Sequence, residues 1–202
     1  MLQDIVSIAR QAGAWILGDE VYRGIDQAGD GFTASVADLY ERGISTGSMS
    51  KVWSLAGLRL GWIVGPPALL HSVTTHRDYN TISVGMLDDW FAAMALEARE
   101  AILARSRSIV RTNLAVLDRW VNDEPTISYV KPAGGTTALL RYAGTESSEA
   151  LCVRLVENAG VMFTPGSAMD IEGYVRIGYA NNRKVLEEGL ERVSGFLEAV
   201  HA

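Results

Sequence analysis

The chain has 202 residues, 48% of them hydrophobic, and a formal net charge of −6. That is enough apolar material for one ordinary domain or two small ones, which excludes disorder, and the scattered acidic excess excludes an electrostatic footprint for nucleic acid or an anionic membrane. Cys152 stands alone and can close no intrachain disulfide, and His71, His76 and His201 keep no metal-ligand spacing with it; a soluble, metal-free protein of the reducing cytoplasm is expected.

In chain order, Leu2, Ile5, Ala9 and Ala12 recur at helical spacing and Gly13 follows as a left-handed C-cap, so the first predicted element is a helix. Asp4 and Arg10 break the opening apolar run, which reads as neither signal peptide nor membrane span. Ala14 to Gly18, ending in Asp19, reads as a strand buried on both faces in a parallel sheet. Gly43 to Ser48 and Leu58 to Val64 are the next strands, the latter stopped by Gly65-Pro66-Pro67. Strands joined by long crossovers predict an α/β architecture.

From Val84 onward, Leu87, Phe91, Met94 and Ala98 share a stripe, and the helical pattern runs unbroken to about Trp120, a spine between two lobes. After Pro125 the pattern changes. Strands are expected at Ile127 to Val130, Thr136 to Arg141, Val161 to Phe163 and Tyr174 to Tyr179. Ser147 or Ser148 caps a helix that runs to Gly160, and Leu186, Leu190, Val193, Leu197 and Val200 mark the packing face of a last one. A domain boundary near residue 112 divides the chain into 1–112 and 113–202.

Lys51 is one of only three lysines, and it sits between small hydroxyl residues in SMSK. A sheltered lysine is costly unless its ammonium is paired, deprotonated or consumed in a covalent bond, as in a Schiff base with an aldehyde cofactor. Arg59 in GLRLGW offers a planar fork of donors for a phosphate, with the Ser48 hydroxyl as a further donor, while Gly57 and Gly61 are expected to relieve crowding around it. The plainer reading is a surface Lys-Arg pair in a loop. Upstream, Asp19 and Tyr22 in GDEVYRG reach one site only if the chain leaves its strand at about Glu20, and strand carboxyl ends are where open α/β sheets bind ligands. A polar strand end explains the same residues. Cys152 and the tryptophans Trp53, Trp62, Trp90 and Trp120 read as packing or interface groups, and GSAMD as an ordinary turn or a loop near substrate.

Taken together and in order, DEVYRG, SMSK, GLRLGW and YVRIGYA resemble the fold type I pyridoxal-phosphate enzymes, in particular the class I/II aminotransferases. The resemblance covers essentially the whole chain. It implies a mostly parallel large-domain sheet with helices, followed by a small α+β C-terminal domain, and a homodimer. It implies pyridoxal 5'-phosphate in Schiff-base linkage to Lys51, with Asp19 on the pyridinium nitrogen, Tyr22 on the ring hydroxyl oxygen, and Ser48 and Arg59 on the phosphate. Arg176 would clamp the α-carboxylate of an amino acid or 2-oxo acid, and RDYNTIS would face the neighbouring subunit's pocket. Lys51 would serve as anchor, base and acid in transamination.

The family is usually about twice as long, and the portion expected before Met1 would bring a phosphate-binding glycine/serine turn, a stacking aromatic ring and an NPTG-like loop. An unpaired sheet edge and exposed apolar surface are therefore expected. Two alternatives stand beside the transaminase: a non-catalytic truncated fragment, and a lyase, decarboxylase or cyclase of the same fold.

Overall fold

The computed structural model describes residues 1–201, without the side chains of Val200 and His201, so the last position of the expected C-terminal stripe lies outside the described residues. Contacts divide the chain into two compact units, Met1–Arg107 and Ser108–Ala202.

The first unit opens with α1 (Leu2–Ala12), closed by Gly13 at φ 64°, a left-handed conformation that a side chain would strain. Strands β1 (Ile16–Asp19), β2 (Gly43–Ser48) and β3 (Gly61–Val64) form a sheet in that order, with the short helix α2 (Val36–Leu39) between β1 and β2. β1 runs parallel to β2, and β3 runs antiparallel to β2. The sheet is thus mixed where a mostly parallel one is expected. The reason is local: residues 49–60 form a compact connection with a single 3-10 turn at Ala56–Leu58 and no α-helix to carry a crossover, so the chain doubles back. For the same reason β3 begins at Gly61 and not at Leu58.

β1 departs from its expectation too. Leu17 is 67% exposed, so this strand is buried on one face only. The covered face packs on α1 and α2, where Val6, Ala9, Val36 and Tyr40 form a buried cluster with Ile16 against it.

Pro66 and Pro67 do more than stop β3. They begin α3 (Pro67–Arg77), with Pro67 in the first turn, where a missing N–H costs nothing. Its side chains are mostly exposed, and without an apolar stripe it carries no periodic signal. The expected single helix from Val84 is two, α4 (Met86–Glu97) and α5 (Arg99–Asp123). They part at Ala98, whose ψ of 17° leaves the helical range; alanine, the best helix former, carries no signal of a break. Ala92 and Ala95 of α4 join Met49 in a second cluster, packed by Trp53, Leu58, Trp62 and Ile102.

The second unit is built on an antiparallel sheet in the order β4 (Ile127–Tyr129), β5 (Thr137–Tyr142), β7 (Tyr174–Gly178), β6 (Thr164–Pro165). Val161 to Phe163 precedes the β6 ladder rather than forming it. α6 (Ser148–Ala159) is capped by Ser147, whose side chain accepts from the Ala150 N–H, and α7 (Arg183–His201) ends the described chain. Leu140, Leu155, Val175, Leu190 and Val193 are buried, and so is Cys152, whose thiol is pushed up by burial, as suits a packing group. Among the described residues no helix is long and apolar enough to cross a membrane.

Candidate active site

Parallel pairing aligns the ends of β1 and β2, with Asp19 opposite Thr46. The chain leaves β1 directly after Asp19: the Glu20 N–H donates to the Thr46 carbonyl at 2.9 Å, and the Arg23 N–H closes a turn onto the Glu20 carbonyl at 2.9 Å. Tyr22 lies in that turn, half-buried. The bend required to gather Asp19 and Tyr22 at one strand end is present. Glu20 is occupied elsewhere, accepting from the Ser35 hydroxyl at 3.0 Å and the Val36 N–H at 2.8 Å at the start of α2.

Asp19 is exposed, and its Oδ1 accepts from the Val21 N–H and the Thr46 hydroxyl, both at 3.4 Å. Both bonds fall on one oxygen. Oδ2 has no hydrogen bond among the described residues and is the atom left to accept from a ligand. Thr46 escaped the sequence reading. The available signal was its place two residues before Ser48, hence on the same strand face.

Ser48 ends β2, and its Oγ accepts from the Ser50 N–H at 3.3 Å. Lys51 follows in the connection to β3, between Met49 and Val52, which are 0% and 2% exposed. Those buried neighbours fix the backbone: the Met49 N–H donates to the Leu60 carbonyl at 3.0 Å, and the Ser106 hydroxyl of α5 donates to the Val52 carbonyl at 2.7 Å. Lys51 itself is exposed, with no hydrogen bond or ion pair to its ammonium among the described residues. The expected shelter is therefore not supplied by this chain's own fold.

Ser54 at φ 58° and Arg59 at φ 47° are both left-handed, and such strain in non-glycine residues tends to gather at functional sites. The Arg59 Nη1 donates to the Ala56 carbonyl at 2.7 Å, which fixes the guanidinium and leaves its other N–H groups outward. Of the two glycines expected to relieve crowding, Gly61 does: a Cβ there would lie 2.7 Å from the Gly47 carbonyl oxygen, whereas one at Gly57 would meet nothing within 4 Å. Gly47 matters as well, because the Trp62 ring passes 2.5 Å from where its Cβ would stand.

Arg176 belongs to the second unit, on β7, exposed on the face opposite buried Val175 and Ile177. Its Nη2 donates to Thr164 Oγ1 at 3.3 Å, and its Nη1 lies 3.8 Å from Met169 Sδ. Met169 belongs to GSAMD, which folds as a 3-10 turn.

The sequence profile described as aminotransferase class I and II matches residues 1–193. The chain is 34% identical over 155 residues to a capreomycidine synthase of Streptomyces vinaceus, covering 76% of this chain and 40% of that one. It is 30% identical over 205 residues to aromatic-amino-acid aminotransferase 2 of Thermococcus litoralis, covering 98% of this chain and 52% of that one. Among solved structures, a PLP-dependent aminotransferase from Streptococcus suis superposes with a TM-score of 0.93 at 38% identity, over 98% of this chain and 52% of that one. The chain spans about half the length of the relatives it matches. The chain belongs to the aminotransferase class I and II family, whose cofactor is pyridoxal 5'-phosphate.

Proposed function

We propose that this chain carries the cofactor-anchoring and carboxylate-binding groups of an aminotransferase that acts on an α-amino acid and a 2-oxo acid. The observation that carries the reading is the β1–β2 register, which sets Asp19 beside Thr46 on the strand that leads through Ser48 to Lys51. The donor set fits pyridoxal phosphate: a carboxylate with one free oxygen for a ring nitrogen, a serine and an arginine for the phosphate, and an unpaired amine for the aldehyde. When bound, that cofactor supplies an electron-withdrawing ring that stabilises negative charge at the substrate α-carbon.

The chain's own residues divide the work. Lys51 Nζ would be the attachment point and, as a free amine, the base for the substrate α-proton. Asp19 Oδ2 would hold a proton on the ring nitrogen, Tyr22 would donate to the ring oxygen, and Ser48 and Arg59 would hold the phosphate. Arg176 receives the substrate carboxylate as a two-pronged donor. Residues 1–112 form the cofactor-binding part and 113–202 the small domain. We place the whole in the cytoplasm as a homodimer. Full activity needs polypeptide beyond these 202 residues, in keeping with relatives about twice the length and with the exposed apolar groups Leu17, Ile63 and Val64.

The test is incubation with pyridoxal phosphate, borohydride reduction and peptide mapping: a label on Lys51 is expected, and no label at saturating cofactor would sink the reading. The likeness to a capreomycidine synthase supports a second reading, a lyase, decarboxylase or cyclase using the same residues. Pyridoxamine phosphate formed together with unlabelled 2-oxo acid from a 15N-amino acid identifies transamination. The exposed Lys51 and open apolar surface support a third, a non-catalytic fragment, which absence of the Lys51 label would favour.

A further inference from the structure

Arg176 has an unusual set of neighbours for an exposed arginine. No carboxylate pairs with it among the described residues, and its two side-chain partners, Thr164 Oγ1 and Met169 Sδ, are neutral acceptors. Thr164 is its cross-strand partner on β6, and the apolar Leu139 lies opposite on β5. A hydroxyl orients a guanidinium without cancelling its charge. An acid in its place would compete with any carboxylate ligand.

Neither acceptor is free to drift. Thr164 sits in the ladder with β7. Met169 ends the 3-10 turn Gly166–Met169, where the Ser167 N–H donates to Ser148 Oγ at 3.0 Å and the Ile171 N–H to the Gly166 carbonyl at 3.0 Å. The Ser148 hydroxyl in turn donates to the Glu172 carboxylate at 3.1 Å, tying the turn to the start of α6.

We propose that Thr164 is a positioning residue, its hydroxyl holding the Arg176 guanidinium in the orientation that receives a substrate carboxylate. This rests on the reading of Arg176 given above. Two N–H bonds go to Thr164 and Met169, leaving Nε–H and one hydrogen on each Nη for the ligand. The hydroxyl fixes side-chain rotation before the ligand arrives, and so lowers the ordering cost of binding.

The test uses the 202-residue chain and pyruvate as the probe, followed by the Arg176 Nε–Hε resonance in 15N spectra, assigned by its loss in Arg176→Lys. The wild-type resonance should shift saturably with pyruvate. Thr164→Val, which keeps the β-branched shape, should weaken binding about fivefold, the worth of one ordinary hydrogen bond, while Thr164→Ser stays within about twofold of wild type. The thermal midpoint of Thr164→Val reports any loss of folding separately. If the resonance in Thr164→Val shifts with pyruvate as it does in wild type, the positioning role is overturned and the reading of Arg176 stands. Equal weakening in the valine and serine variants also overturns it, in favour of packing. A wild-type resonance that ignores pyruvate overturns both.

Discussion

In the second unit the sheet lays Leu140, Val175 and Ile177 against helices that contribute Leu155, Leu190 and Val193, all buried. The first unit uses similar residue types and leaves many of them in solvent: Leu17 on β1, Ile63 and Val64 on β3, and Leu87, Trp90 and Phe91 on α4. Its three strands end in two open edges, β1 and β3. The unit that presents Lys51 and Asp19 thus leaves more large apolar side chains in solvent than the Arg176 unit, where Val130 and Met162 are the most exposed.

The largest expected effect probes the chemistry of the open unit. Lys51→Ala should lose the borohydride-stable label entirely while keeping the wild-type thermal midpoint, because the side chain is exposed; label persisting at full stoichiometry would place the reactive amine elsewhere. Next comes packing. Leu140, 0% exposed, should cost about 2–5 kcal/mol when truncated to alanine, and exposed Leu17 no more than about 0.5 kcal/mol, measured by urea unfolding. Equal losses would erase the contrast between the units.

A smaller effect concerns pH. The Ser148 backbone N–H, helped by the Ser148 hydroxyl and Tyr142, holds the Glu172 carboxyl below the usual glutamate range. The fold therefore favours the ionised form: its stabilisation is complete above the unfolded value of about 4.3 and is lost as pH falls through the lower folded value. Glu172→Gln should flatten this part of the second unit's acid unfolding curve; an unchanged curve would remove Glu172 from the account. The smallest change is Ser147→Ala at the α6 cap, expected to cost about 1 kcal/mol in the same unfolding assay.

Much of the second unit was legible because its elements carry strong local signals. Ser147 before α6, Gly160 after it and the Leu186–Leu190–Val193 stripe of α7 each express one helix's own capping or periodicity. The first unit hid more. Proline read as a stop began α3, the α4–α5 break fell on an alanine, and β3 turned antiparallel because of how the 49–60 connection packs.

The candidate site divides the same way. Lys51, Ser48, Arg59, Asp19 and Tyr22 stood out because their side-chain chemistry is rare or paired within short segments. Thr46 and Thr164 did not, since a threonine's partner depends on which strand lies beside it: Asp19 for one, Arg176 for the other.

By itself the sequence determined the kinds of groups available and the order in which they occur: one lysine among hydroxyls, a carboxylate at a strand end, an arginine on a late strand, and the family these compose. Only the tertiary structure decided strand direction, the hydroxyl beside each charged group, and which apolar faces remain open. Those depend on contacts between segments distant in the chain, and local propensity carries no information about such contacts.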